Sequence, residues 1–109
     1  MIGLKQAMGM ILTAKPVTAQ EAYRIGLVNE VVPLKDLMAT AEKWANDILQ
    51  CSPVSIRASK ESVMKGLEMP VLDAMKAEFP AAMALWTSED LIEGPLAFAQ
   101  KRPPQWKGR

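Results

Sequence analysis

The chain predicts an all-α fold, and three features predict it. Apolar residues recur at helical spacing from end to end, Gly and Pro punctuate that pattern between segments, and only one short β-branched run interrupts it. Five to six short amphipathic helices joined by short loops, with almost no sheet, account for all of this. At 109 residues the chain is one small domain or one piece of a larger one.

Leu4, Ala7, Met8, Ile11 and Leu12 follow the i, i+3, i+4, i+7, i+8 template of a first helix. Lys15-Pro16 stops it, because the proline ring disfavours the helical state of the residue before it. Thr18-Ala19-Gln20-Glu21 reads as a capping box, the Thr18 hydroxyl taking the Glu21 amide and the Glu21 carboxylate reaching back to the Thr18 amide. Gly26 ends the short helix that follows by supplying a left-handed residue. Leu27 to Pro33 is β-branched and too short for a helix, so an extended connector or a strand stub is expected.

The next helix carries Leu37, Ala41, Trp44, Ala45 and Ile48 on one stripe, with charged residues elsewhere. Ser52-Pro53 places a capping hydroxyl before a proline at the first helical position, and the helix it opens should end near Gly66. A further helix is expected from Val71 to about Trp86, with Leu72, Met75, Phe79, Ala82, Met83 and Trp86 inward and a kink at Pro80. Thr87-Ser88-Glu89-Asp90 caps a last helix, which should run to about Arg102 with Pro95 tolerated inside it. Pro103-Pro104 closes that helix, and a solvated basic tail follows.

Thirteen Lys and Arg against twelve Asp and Glu leave a net charge of +1, which excludes a strongly basic nucleic-acid domain. A helix-turn-helix outline at Ala22-x-x-x-Gly26 and Val31-Val32 fails for the same reason, since Leu27 to Leu34 carries no Lys or Arg and Pro33 breaks the would-be recognition helix. With no His and one Cys, Cys51, the chain encodes no zinc finger, His-based triad or disulfide framework. Neither Gly-rich phosphate loop pattern is present. No stretch has the roughly 20 apolar residues of a membrane span, and a soluble, cytoplasmic chain is expected.

Glu89, Asp90 and Glu93 share a helix end and are read as complements of the helix dipole rather than as an acid–base pair. Cys51 precedes a helix N-terminus but has no base to activate it, so a buried or incidental thiol is expected. Phe98 and Lys101, three apart on a helix, share a face, and a ring beside an ammonium suits a flat base carrying a phosphate. Half the residues are hydrophobic, more than a domain of this size can cover when it buries only about two-thirds of its unfolded surface. A partner surface or a missing remainder of the protein would account for the excess.

Read in order, several phrases resemble one family. They are Ile2-Gly3-Leu4-x-x-Ala7, Leu12-Thr13, Ala19-x-Glu21-Ala22-x-x-x-Gly26-Leu27-Val28-Asn29-x-Val31-Val32-Pro33, Ser52-Pro53 with Lys60, and Asp90-x-x-Glu93-Gly94-x-x-Ala97-Phe98-x-x-Lys101-Arg102-x-Pro104. Together they resemble the C-terminal part of a crotonase, the enoyl-CoA hydratase/isomerase superfamily, over essentially all of residues 1–109. The resemblance implies a single C-terminal helical domain whose catalytic ββα core is expected upstream of Met1. It implies no cofactor; a coenzyme A thioester is the substrate of the full-length family. Members stabilise an enolate-like oxyanion with backbone amides of that core, so no catalytic residue is carried over to this chain.

The resemblance further implies that Phe98 and Lys101 reach the adenine and 3′-phosphate end of coenzyme A bound to a neighbouring subunit, within trimers or hexamers. Lys60 matches a recurrent family lysine and is read as part of a solvated helix face. The chain is therefore expected to be an oligomerisation and CoA-contacting region, inactive in isolation, with no nucleic-acid or membrane partner. The alternative is a free-standing self-association module that exchanges helices between copies about a loop near Pro33 or Gly66.

Overall fold

Seven α-helices and one 3₁₀ turn make up the regular structure of residues 2–109, those described by the computed structural model, and no strand occurs among them. The helices are α1 (Leu4–Thr13), α2 (Ala19–Arg24), α3 (Leu37–Leu49), α4 (Pro53–Gly66), α5 (Val71–Lys76), α6 (Pro80–Trp86) and α7 (Glu89–Ala99); the 3₁₀ turn, Leu34–Asp36, leads into α3. The chain divides within α3 into two units, the first ending at Ala41 and the second spanning Glu42–Arg109.

In the first unit, α1 closes on Ala14, whose φ of 50° turns the backbone out of the helix just ahead of Lys15-Pro16. Half of the expected capping box forms. Thr18 Oγ1 accepts the Glu21 amide at 3.1 Å, but the Glu21 carboxylate is taken by Arg24, with Nε at 2.7 Å and Nη2 at 2.6 Å. A charged fork offers a carboxylate more than a neutral amide does, so the guanidinium wins. Gly26, at φ 76°, ends α2 as expected. Leu27 to Pro33 then forms turns and bends, a connector without a strand.

The second unit is organised around α4. Ser52 Oγ accepts the Val54 and Ser55 amides at 3.2 and 3.3 Å, and Pro53 stands where no amide is needed. The helix packs chiefly on α6 and also on α5, while α6 touches α7. Buried apolar side chains here are Val54, Ala58, Phe79 and Ala97.

The expected Val71–Trp86 helix is two helices. Ala77 (ψ 135°) and Phe79 (ψ 132°) are extended, and Pro80 opens α6 as its first residue instead of kinking a longer helix. Two contacts favour the break. Phe79 is turned inward with 7% of its surface exposed. Across from it, the Glu61 carboxylate of α4 accepts the Ala81 amide at 2.6 Å and so caps α6 from another helix. The inward set is correspondingly smaller than expected: Leu72, Met75, Met83 and Trp86 are exposed. The clearest amphipathic stripe behaves likewise, since α3 buries no residue.

Candidate functional site

A dense set of polar contacts gathers around α7 and the seven residues after its closing turn, in the second unit. Ser88 caps the helix by accepting the Leu91 amide at 3.2 Å. Asp90 comes two residues later, in the first turn, and only 3% of its surface is exposed. Its Oδ2 accepts the Ser52 hydroxyl at 2.6 Å, its Oδ1 the Lys107 amide at 2.7 Å, and the Gly108 amide lies 3.2 Å from both oxygens. Burial pushes the Asp90 carboxyl up, but the Ser52 hydroxyl, the two tail amides and the charge of Arg57 together hold it below its ordinary value. Arg57 also donates to the Gly108 carbonyl at 3.0 Å. One carboxylate thus ties the starts of α4 and α7 to the C-terminal tail.

One turn further on, Glu93 repeats the arrangement. Its two oxygens take the Arg102 guanidinium as a fork, at 2.6 and 2.9 Å, and Oε1 also accepts the Gln105 amide at 2.6 Å. Arg102 and the Gln105 amide hold the Glu93 carboxyl down to about 2. Trp106 lies over Gly94, where an added Cβ would stand 3.3 Å from the ring, and donates its Nε1 proton to the Gln50 carbonyl at 2.9 Å. Arg109 closes the set through Glu89, side chain to side chain at 3.0 Å and carbonyl to amide at 2.8 Å. Glu89 and Asp90 stand in the first turn of α7 as dipole complements should, and with Glu93 they also receive the tail, which was expected in solvent and is instead fastened along its backbone. A backbone amide has no charge to mark it in a sequence, so spacing alone did not reveal these pairs.

The other end of α7 carries Phe98 and Lys101. The helix stops at Ala99, short of the expected Arg102, and Lys101 takes a left-handed φ of 52°. Its amide donates to the Phe98 carbonyl and the Arg102 amide to the Ala97 carbonyl, both at 3.1 Å, which is the paired closure of a Schellman turn. The same pair closes α2, where Gly26 and Leu27 reach Tyr23 and Ala22. Lys101 thus occupies a position that Gly26 occupies in the first unit. Phe98 and Lys101 are adjacent through a turn and do not stand on one helical face as expected. Phe98 is 88% exposed, the most exposed large apolar side chain described.

Glu89, Ile92, Glu93, Leu96, Gln105 and Lys107 line an open groove of about 290 Å³ between α7 and the tail. Lys60 is exposed on α4. Cys51 is exposed, its Sγ 3.9 Å from the Asp47 carbonyl. Among the described residues no cluster of His, Cys, Asp or Glu could hold a metal ion, and no helix is long and apolar enough to cross a membrane.

The family model for enoyl-CoA hydratase/isomerase matches residues 1–109. The chain is 41% identical over 107 residues to the carnitinyl-CoA dehydratase of Escherichia coli and 38% to that of Salmonella typhi, in each case over 92% of this chain and 40% of the relative. Among solved structures, the enoyl-CoA hydratase of Bacillus anthracis superposes with a TM-score of 0.92 at 33% identity, covering 99% of this chain and 42% of that one. One from Geobacillus kaustophilus gives 0.88 at 36%, over 99% and 41%. The chain belongs to the enoyl-CoA hydratase/isomerase family and spans about two-fifths of the length of the relatives it matches.

Proposed function

We propose that this chain is the coenzyme-A-contacting and subunit-packing segment of an enoyl-CoA hydratase/isomerase, working in the cytoplasm in fatty-acid or related acyl-CoA metabolism. Phe98 and Lys101 contact the adenine and 3′-phosphate end of coenzyme A held by a neighbouring subunit. The observation that carries this reading is the outward Phe98 ring next to a lysine in a conformation that costs free energy. A ring face offers stacking, and an ammonium offers charge-assisted bonds to a phosphate. The apolar stripes left uncovered on α1, α3 and α5 support packing against further protein.

Chemistry on the acyl group falls to the rest of the protein. Asp90 and Glu93 are already committed as acceptors, and acid–base work needs a carboxylate able to exchange its proton near neutral pH. Purified chain therefore gives no hydration of an enoyl-CoA, followed by loss of the enoyl absorbance. Turnover that a single carboxylate substitution in this chain abolishes would overturn the reading. The second reading, a self-association module, draws on the same uncovered stripes but assigns no ligand to Phe98 and Lys101. Binding of adenosine 3′,5′-bisphosphate, weakened but still measurable on Lys101→Ala, separates the two.

A further inference from the structure

We infer that Glu93 and Arg102 are positioning residues for Lys101: their ion pair braces the left-handed turn and so fixes where the ammonium stands beside the Phe98 ring. The inference rests on the reading that Lys101 meets a phosphate. Its starting point is the pair of chemically unequal turns. The turn closing α2 has Gly26 at the left-handed position, and its neighbours Ile25 and Leu27 carry no ionisable group. The turn closing α7 has a lysine there, which pays a steric cost that glycine avoids.

At α2 the Arg24–Glu21 fork stays within the helix, ahead of Gly26, whereas at α7 the fork comes from the residue that follows the left-handed position. Arg102, the residue after Lys101, returns along α7 to place both terminal nitrogens on Glu93, and its Nε lies 2.7 Å from Oε1 of Gln100, the residue before Lys101. Glu93 is one turn ahead of Ala97, whose carbonyl takes the Arg102 amide, so side chain and backbone of Arg102 hold to successive turns of one helix. The Gln105 amide on Glu93 Oε1 keeps the carboxylate from rotating away. Two planar groups meeting through two bonds fix orientation as well as distance, which a lysine in place of Arg102 would not do.

The test uses the full chain, with adenosine 3′,5′-bisphosphate as the probe titrated by calorimetry and the Lys101 and Arg102 amides followed by hydrogen exchange. Glu93→Gln and Arg102→Lys are each expected to weaken binding about tenfold, the worth of one charged hydrogen bond. Both should also speed exchange at Lys101 and Arg102 while amides inside α4 keep their protection. In a Lys101→Ala background neither change should weaken binding further, which a general structural role would not reproduce. Unaltered exchange at Lys101 and Arg102 in Glu93→Gln overturns the brace. Binding that is unchanged or tighter in Glu93→Gln also overturns the inference, because it means the released Arg102 contacts the ligand itself. Failure of the unaltered chain to bind the bisphosphate overturns the phosphate reading and the ligand half of this inference, and the exchange result then decides the brace separately.

Discussion

Asp90 shows how much one buried side chain can organise. With Ser52, Lys107 and Gly108 all donating to it, it leaves no acceptor capacity idle, and removing it strands a hydroxyl and two amides. Asp90→Ala is expected to cost about 2–4 kcal/mol, the range for breaking a buried charged hydrogen-bond set, read by urea unfolding. Lys101→Gly should act in the opposite direction. Relief of the left-handed strain gives up to about 1 kcal/mol, seen as a higher melting temperature, while the proposed phosphate contact is lost. Acid tests the carboxylates together. Asp90 and Glu93 are both depressed in the folded chain, so their stabilisation is complete above the ordinary carboxylate range and is lost as pH falls through the folded values. For Glu93 that window runs from 4.5 down to about 2, and melting temperature measured across it should fall steadily.

At the scale of elements, the break between α5 and α6 is the instructive case. A helical period running through Leu72, Met75, Phe79, Met83 and Trp86 argues for one rod, and Pro80 inside it argues for a kink. Both arguments are local. The outcome was decided by α4, which offers a carboxylate to the Ala81 amide and a place for the Phe79 ring. Phe79 is the only large aromatic among the buried residues described, so Phe79→Ala should cost about 3 kcal/mol, the usual loss for emptying a buried ring site, measured by thermal unfolding. Helix starts were legible where a short hydroxyl side chain marks them, at Thr18, Ser52 and Ser88. The cap supplied by Glu61, 20 residues away, had no such mark.

For the whole molecule, the uncovered apolar residues dominate. Leu34 is 86% exposed, and Ile11, Leu12, Val71, Leu72 and Met75 are each at least 70% exposed. Such groups gain about 25 cal/mol for each Å² removed from water, so the chain has a standing drive to associate. Light scattering over a concentration series should show mass rising with concentration; a monodisperse monomer would count against subunit packing. The excess of hydrophobic residues over what a small domain can cover was visible in composition alone. That the excess is spread over nearly every helix, Val63 of α4, Trp86 of α6 and Ile92 of α7 included, was not.

Helical class, most helix ends and the phrases that mark the family follow from the sequence by itself, because period, caps and prolines act over a few residues. The fastening of the tail to Asp90 and Glu93, the divided α5–α6 segment and the left-handed Lys101 were decided only by tertiary structure. Each depends on a backbone amide or a ring meeting a group distant along the chain, and no spacing rule reports which amide a carboxylate will find once the helices have packed.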